Sequence, residues 1–177
     1  MKSTITLIAM AGLAAPVFSQ TAPAPQEPCL HIRNAFHLTV NASYEATTPL
    51  FGPLGERGWL GEEWNPIFLY PQPAKDEEGS VFTVSRGLYH SVWVNTLFDK
   101  VQRHFQYVYF VPDLMVTVVD VNFKPAGANS TSVDVVFTRT AITAKGNELV
   151  TEVSESDKSA AERWRLKIDN YLAGVKN

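Results

Sequence analysis

The stretch Leu149–Val175, LVTEVSESDKSAAERWRLKIDNYLAGV, decides how the rest of the chain is read. Apolar residues recur at Val150, Val153, Ala160, Ala161, Trp164, Ile168, Tyr171, Leu172 and Val175, at steps of three and four that place them on one face of a single helix. Glu155, Lys158, Glu162, Arg165 and Lys167 fill the opposite face. At about 1.5 Å per residue such a helix is roughly 40 Å long, and its apolar face needs a surface of matching length to cover it.

The residues upstream supply that surface. Apolar and polar residues alternate over 35–41, where Phe36, Leu38 and Val40 share one side, and again over 67–70, 80–85, 91–98, 104–111, 114–123 and 132–142. The breaks carry turn residues: Pro71, Pro73 and Gly79, then Arg86-Gly87, Asp99-Lys100, Pro112-Asp113 and Pro125 to Asn129. Connections this short favour antiparallel neighbours, because a parallel return needs a crossover of about a dozen residues or more. Between the first strand and the second, residues 43–60 hold short apolar pairs interrupted by Gly52-Pro53, Gly55 and Gly58, which permits only short helices. The expected architecture is α+β: a curved seven-stranded antiparallel sheet wrapped around a long C-terminal helix, with two short helices after the first strand. A straight helix laid in a curved sheet leaves space at its sides, so this arrangement tends to enclose a pocket.

In that order of elements the chain resembles the START-like superfamily, also called SRPBCC or helix-grip proteins. The resemblance is carried by Pro53-Leu54-Gly55-Glu56-Arg57-Gly58-Trp59 with Trp64-Asn65-Pro66, by Tyr107 to Pro112, by Phe137-Thr138-Arg139-Thr140-Ala141 before Gly146, and by Trp164 with Ile168 to Leu172. It spans about residues 31–174 and implies a cavity between sheet and terminal helix that holds a lipid, polyketide, sterol or other apolar molecule. Some members are cyclases, hydratases or oxygenase components, but the Rieske cysteine and histidine pairs of the oxygenases are absent from this sequence.

Residues 1–19 read as a secretory signal peptide: Lys2, an uncharged apolar run too short to span a bilayer comfortably, and Val17-Phe18-Ser19 as a cleavage site. The mature chain is then expected outside the cytoplasm, secreted or periplasmic, without a stable membrane anchor. Residues 20–30 form a linker, with three prolines between Thr21 and Pro28, and residues 31–177 the domain. The 177-residue chain has a net charge of −3 and no basic block, which argues against nucleic acid as a partner. Cys29 is the single cysteine, so no intramolecular disulfide forms. The four histidines, His31, His37, His90 and His104, show no HxH or HxxxH pairing, so neither a metal site nor a cofactor is expected.

The expected partner is a hydrophobic small molecule or lipid, and the candidate cavity residues are Trp64, Tyr70, Trp93, Tyr107, Tyr109, Phe137, Arg139, Trp164, Ile168 and Tyr171. Trp164, Ile168 and Tyr171 share the helix face that meets the sheet, and Tyr171 brings a hydroxyl able to orient a polar group. Phe105, Tyr107 and Tyr109 alternate on one strand, and Val133, Val135, Phe137 and Arg139 on another. An inward guanidinium needs a partner, with Glu62, Glu63 and Asp120 as candidates, or a place at a pocket mouth where it holds a carboxylate. Residues 56–64 read either as a lid or as tryptophans plugging one end of the sheet beneath solvated charges. No GxSxG or phosphate-loop motif appears, so a catalytic group, if there is one, comes from residues distant in sequence. The alternatives to a binding protein are a cofactor-free cyclase, hydratase or isomerase using the same pocket, and an interaction protein with a filled core.

Overall fold

A computed structural model describes residues 28–174; the expected signal peptide, most of the linker and Val175 lie outside the described residues. The elements are β1 (His31–Val40), α1 (Tyr44–Thr47), α2 (Pro53–Leu60), β2 (Ile67–Tyr70), β3 (Val81–Arg86), β4 (Tyr89–Asp99), β5 (His104–Val111), β6 (Met115–Gly127), β7 (Ser130–Ala141), α3 (Ala144–Ser156) and α4 (Ala160–Leu172). A 3₁₀ turn over Thr48–Phe51 joins α1 to α2, and another over Asp157–Ser159 joins α3 to α4. The strands form one sheet in the order β1-β7-β6-β5-β4-β3-β2, with every pairing antiparallel. Strands β2 to β7 are a simple meander. The two short helices carry the chain from β1, at one edge, to β2, at the other.

Alternation sets which face is covered. Along β6, Met115, Thr117, Val119, Val121 and Phe123 are buried while the residues between them are only partly so, and β7 repeats the pattern with Val133, Val135, Phe137 and Arg139. The buried side is the one that faces the C-terminal helices. Their core joins Leu149, Val150 and Ile168 to the inward residues of β1 and β5–β7.

The terminal helix starts five residues before the expected Leu149 and ends at Leu172. Thr143 is its cap, its hydroxyl accepting from the Gly146 N–H at 3.1 Å. Gly146 has a packing reason: a Cβ there would overlap the Leu114 carbonyl, so the first turn of α3 lies directly on the β5–β6 connection. Apolar periodicity could not reveal this turn, because a glycine and a cap hold it in place of greasy side chains. The 29-residue helical rod is also interrupted at Asp157–Ser159, a break that the apolar spacing on either side conceals.

Strand boundaries shift modestly from expectation. Strands β6 and β7 pair through Pro125 and Gly127, so the turn narrows to Ala128-Asn129. Residues 43–60 are packed down as structure. Trp59 and Trp64 are buried and donate their indole N–H groups to the carbonyls of Leu50 and Pro53, at 2.7 and 2.8 Å. Asp76, from the β2–β3 connection, caps α2 through the Leu54 N–H at 3.0 Å, where the N-cap residue Gly52 offers no side chain. The tryptophan-plug reading of this segment is therefore the one the packing follows.

Candidate functional site

The register of the sheet places one row of side chains across its buried face. Phe68 on β2 is opposite Phe82 on β3, Phe82 opposite Trp93 on β4, Trp93 opposite Tyr109 on β5, Tyr109 opposite Thr117 on β6 and Thr117 opposite Arg139 on β7. The four aromatic members stack in series, with ring centroids 5.4, 5.8 and 4.0 Å apart and planes within 26° of parallel. Such contacts each add about 0.5–1.5 kcal/mol beyond burial and stiffen the floor they form. The row then turns polar at Thr117 and Arg139.

Above this floor is a cavity of about 330 Å³. Phe82, Trp93, Tyr109 and Phe137 line it from the sheet, Leu149, Val153, Ala160 and Trp164 from the helical rod, and Pro53, Glu56, Leu60 and Trp64 from α2 and the loop after it. Its exposed lining residues, Glu63, Arg86, Tyr89 and Arg163, mark the rim. Arg86 sits 5.2 Å over the Trp64 ring, which holds its charge at the mouth without a carboxylate partner.

The deep polar end is the Arg139–Asp157 pair. Asp157, in the 3₁₀ break of the rod, takes both terminal nitrogens of Arg139, one at 3.1 Å, and accepts from Asn34 Nδ2 at 3.0 Å. Arg139 is only 3% exposed and its guanidinium lies 4.3 Å over the Phe137 ring. The expected ion pair at the end of this strand is present, but its partner is none of Glu62, Glu63 and Asp120. Asp120 points to the opposite face of β6 and engages His104 and Gln106. Asp157 escaped notice because it falls among the polar residues of a helix assumed to be unbroken.

Glu56 is the other polar wall residue. It is on the cavity side of α2, three residues from Pro53 and four from Leu60, both of which also line the space. No hydrogen-bond or ion-pair partner engages its carboxyl among the described residues. Glu56 is half-buried and lines the cavity. Desolvation by that burial pushes its pKa well above the usual carboxylate range, Arg86 pulls it down by less, and Asp76 adds to the rise. Tyr107, whose hydroxyl donates to the Phe51 carbonyl, is likewise raised, chiefly by burial and then by Glu56 and Asp76. The Tyr109 hydroxyl also has no hydrogen-bond partner among the described residues, and it too belongs to a lining residue. The site therefore offers the Glu56 carboxyl and the Tyr109 hydroxyl, on a mainly aromatic and aliphatic wall that also carries the Arg139–Asp157 pair and Ser91.

Of the sequence candidates, Trp64, Trp93, Tyr107, Tyr109, Phe137, Arg139 and Trp164 come together around this cavity. Three do not. Tyr70 is 59% exposed on the edge strand, and Ile168 is fully buried in the core beside the cavity. Tyr171 is 42% exposed and packs on α2, where a Cβ on Gly58 would press into its ring. Along α4, α2 occupies the space beside Tyr171 that the periodic pattern assigns to the sheet. Glu56 was read as a solvated charge; the three- and four-residue spacing with Pro53 and Leu60 was the signal for its inward face. Among the described residues there is no cluster of three or more His, Cys, Asp or Glu able to hold a metal, and no helix is long and apolar enough to cross a membrane.

No family model matches the sequence, and no curated protein matches it significantly. Solved structures do match the fold. Truncated norcoclaurine synthase from Thalictrum flavum aligns with a TM-score of 0.62 at 11% identity, over 84% of this chain and 98% of that one. XoxI from Bacillus cereus aligns with a TM-score of 0.60 at 13% identity, over 82% and 99%. Mll3558 from Rhizobium loti aligns at 0.56 and 16% identity, over 80% and 99%. The chain shares the fold of these structures, a helix-grip arrangement of a seven-stranded antiparallel sheet and a long C-terminal helical rod.

Proposed function

We propose that this chain binds a hydrophobic small molecule in the cavity between the sheet and the C-terminal helical rod, and does so outside the cytoplasm. The observation that carries the reading is the cavity itself: about 330 Å³, walled by stacked aromatic rings and aliphatic side chains, with a few polar groups and a charged rim. That combination suits a ligand held by apolar burial and oriented by hydrogen bonds. The volume is near the lower end of small-molecule sites, about 300–1,000 Å³, which favours a compact molecule over a two-chain lipid. Support from fold likeness comes from norcoclaurine synthase of Thalictrum flavum, one structure of which holds dopamine and hydroxybenzaldehyde; it aligns at 12% identity with a TM-score of 0.58, over 90% of this chain and 99% of that one. Support for export comes from the signal-peptide pattern of residues 1–19.

The test is native mass spectrometry of the protein purified from its own host, followed by denaturing extraction. A stoichiometric apolar passenger is the expected result. An empty protein that also fails to bind any compact aromatic probe refutes the reading. Recovery from the cytoplasmic fraction with residues 1–19 intact refutes export.

One observation favours a second reading, a cofactor-free enzyme. Proton-transfer catalysis needs a titratable group of perturbed pKa inside a pocket, and Glu56 is such a group. In that reading the carboxyl moves a proton to or from a bound substrate, and turnover of the extracted passenger disappears in Glu56→Gln while binding persists. An open cavity argues against an interaction protein with a filled core.

A further inference from the structure

The polar groups of the cavity narrow the kind of molecule it suits, given the reading that it binds a small molecule at all. Two groups are already satisfied, Tyr107 by the Phe51 carbonyl and Ser91 by the Val84 carbonyl and the Trp93 indole, and Arg139 is neutralised by Asp157 at both terminal nitrogens, with its buried Nε left without a hydrogen-bond partner among the described residues. The Glu56 carboxyl and the Tyr109 hydroxyl remain as the groups not held by a side-chain or backbone partner among the described residues. Glu56 sits on a short helix pinned at its start by Asp76 and followed by the Arg57 bond to the Pro66 carbonyl, so it cannot readily swing out to water. A carboxyl enclosed in this way is favoured in its neutral form, and a neutral carboxyl is a hydrogen-bond donor. The approach to it passes Arg86, Arg163 and Glu63 at the rim and Lys167 on the wall, three cations against one anion, a net positive charge that repels a positively charged ligand. An amine, which would otherwise be the natural partner of a buried acid, is thus disfavoured.

We propose that Glu56 is the ligand-orienting group of the cavity and donates a hydrogen bond to the carbonyl oxygen of a compact, uncharged, largely apolar ligand. The Tyr109 hydroxyl on the opposite, sheet-borne wall serves a second polar group of the same molecule. The charged and titratable groups that bear on Glu56 are Arg86 from the β3–β4 hairpin, Asp76 from the β2–β3 connection and Tyr107 from β5, with Glu63, Arg163 and Lys167 around the same cavity. Tyr107 is raised further by burial and stays neutral across the neutral range. Glu56→Gln leaves Asp76 and the rim in place, so it isolates the one carboxyl.

The test uses the whole protein and three probes of one shape: 2-acetylnaphthalene, which carries a carbonyl, 2-ethylnaphthalene, which lacks one, and 1-(2-naphthyl)ethylamine, which carries a cation. Titration calorimetry in the ordinary glutamate range, below the raised Glu56 value, should give the ketone a three- to tenfold advantage over the hydrocarbon, the range of about one net hydrogen bond. In Glu56→Leu that ratio should fall to within about twofold. In Glu56→Gln, whose amide still donates, the ratio should survive and lose its dependence on pH. In the wild type the ketone advantage should shrink as pH rises and the carboxyl ionises; neither neutral probe titrates, so the change belongs to the protein. Equal binding of ketone and hydrocarbon by the wild type overturns the carbonyl assignment and leaves the binding cavity standing. Tightest binding of the amine overturns it too, because Glu56 then acts as a carboxylate. A ketone advantage that survives Glu56→Leu but not Tyr109→Phe moves the donor to Tyr109 and overturns the role of Glu56. Failure of all three probes removes the cavity reading on which the inference rests.

Discussion

Replacing Asp157 with alanine tests how the helical rod is fastened to the sheet. Arg139 is 3% exposed, and Asp157 accepts from both of its terminal nitrogens, so the substitution leaves a buried guanidinium without a counter-charge. Breaking a buried pair from one side costs about 3–5 kcal/mol. Two features place this case near 3. The pair borders the cavity and is not enclosed by solid packing on every side, and the Phe137 ring beneath the guanidinium remains a cation–π partner. Asn34 loses one acceptor but keeps the Ser154 carbonyl at 2.9 Å. Against a total stability of about 5–15 kcal/mol for a domain, 3 kcal/mol is a large fraction. With a urea m value of about 1–3 kcal/mol/M, the midpoint should fall by about 1–3 M, read by far-UV circular dichroism and by fluorescence of the four tryptophans. The paired change Arg139→Met with Asp157→Leu removes both charges and fills similar volume, and should return to within about 1–2 kcal/mol of the wild type. A loss below 1 kcal/mol in Asp157→Ala, or a double variant no better than the single one, refutes the view that the pair is a buried fastening.

Two further perturbations follow from the packing and the charges. Gly146→Ala should cost about 1–3 kcal/mol despite alanine's better helix propensity, because its Cβ meets the Leu114 carbonyl; chemical denaturation measures it, and a stabilised variant contradicts the close approach of α3 to the β5–β6 connection. Glu56 has a pKa raised in the folded state, so the folded protein holds its proton more tightly than the unfolded chain, and stability should decline as pH rises from the ordinary glutamate range through the raised value. Urea midpoints collected across that window should fall in the wild type and be flatter in Glu56→Gln, whereas parallel profiles would mean that Glu56 is solvated.

Much of the fold was legible because period-two runs and turn residues report backbone geometry directly. The Tyr107 and Phe137 faces read correctly for that reason, since alternation leaves two choices and the apolar set selects one. Helical faces are less forgiving. A periodic pattern gives a face but not the element that face meets: within α4, Ile168 reached the core while Tyr171, three residues on, settled against Gly58 of α2. The partner of Arg139 was hidden by the 3₁₀ break at Asp157–Ser159. Long-range pairing has no sequence period, and a polar residue in a polar helical stretch looks solvated until the sheet is known to carry an arginine beneath it. Glu56 is a different case. Its spacing from Pro53 and Leu60 marks the inward face of α2, but the cavity and the sheet that this face meets are not encoded near residue 56.

The division of labour between sheet and α2 explains how such a site can be specific without being elaborate. The aromatic row Phe68–Phe82–Trp93–Tyr109 is fixed by cross-strand register, so any substitution there disturbs its neighbours as well as the ligand surface. Segment 53–64 carries Glu56 and Trp64, and connects β1 to β2 outside the sheet's hydrogen-bond ladder. Its residues are held by caps and indole bonds to backbone carbonyls, contacts indifferent to what occupies position 56. Changing that position alters the chemistry presented to a ligand while the floor and the rod stay packed. The polar choice at position 56 is therefore where ligand chemistry is most free to vary on this scaffold. The consequence is measurable: substitutions at Glu56 should change which naphthalene probe is preferred more than they change the urea midpoint near pH 6, and substitutions at Trp93 should do the reverse.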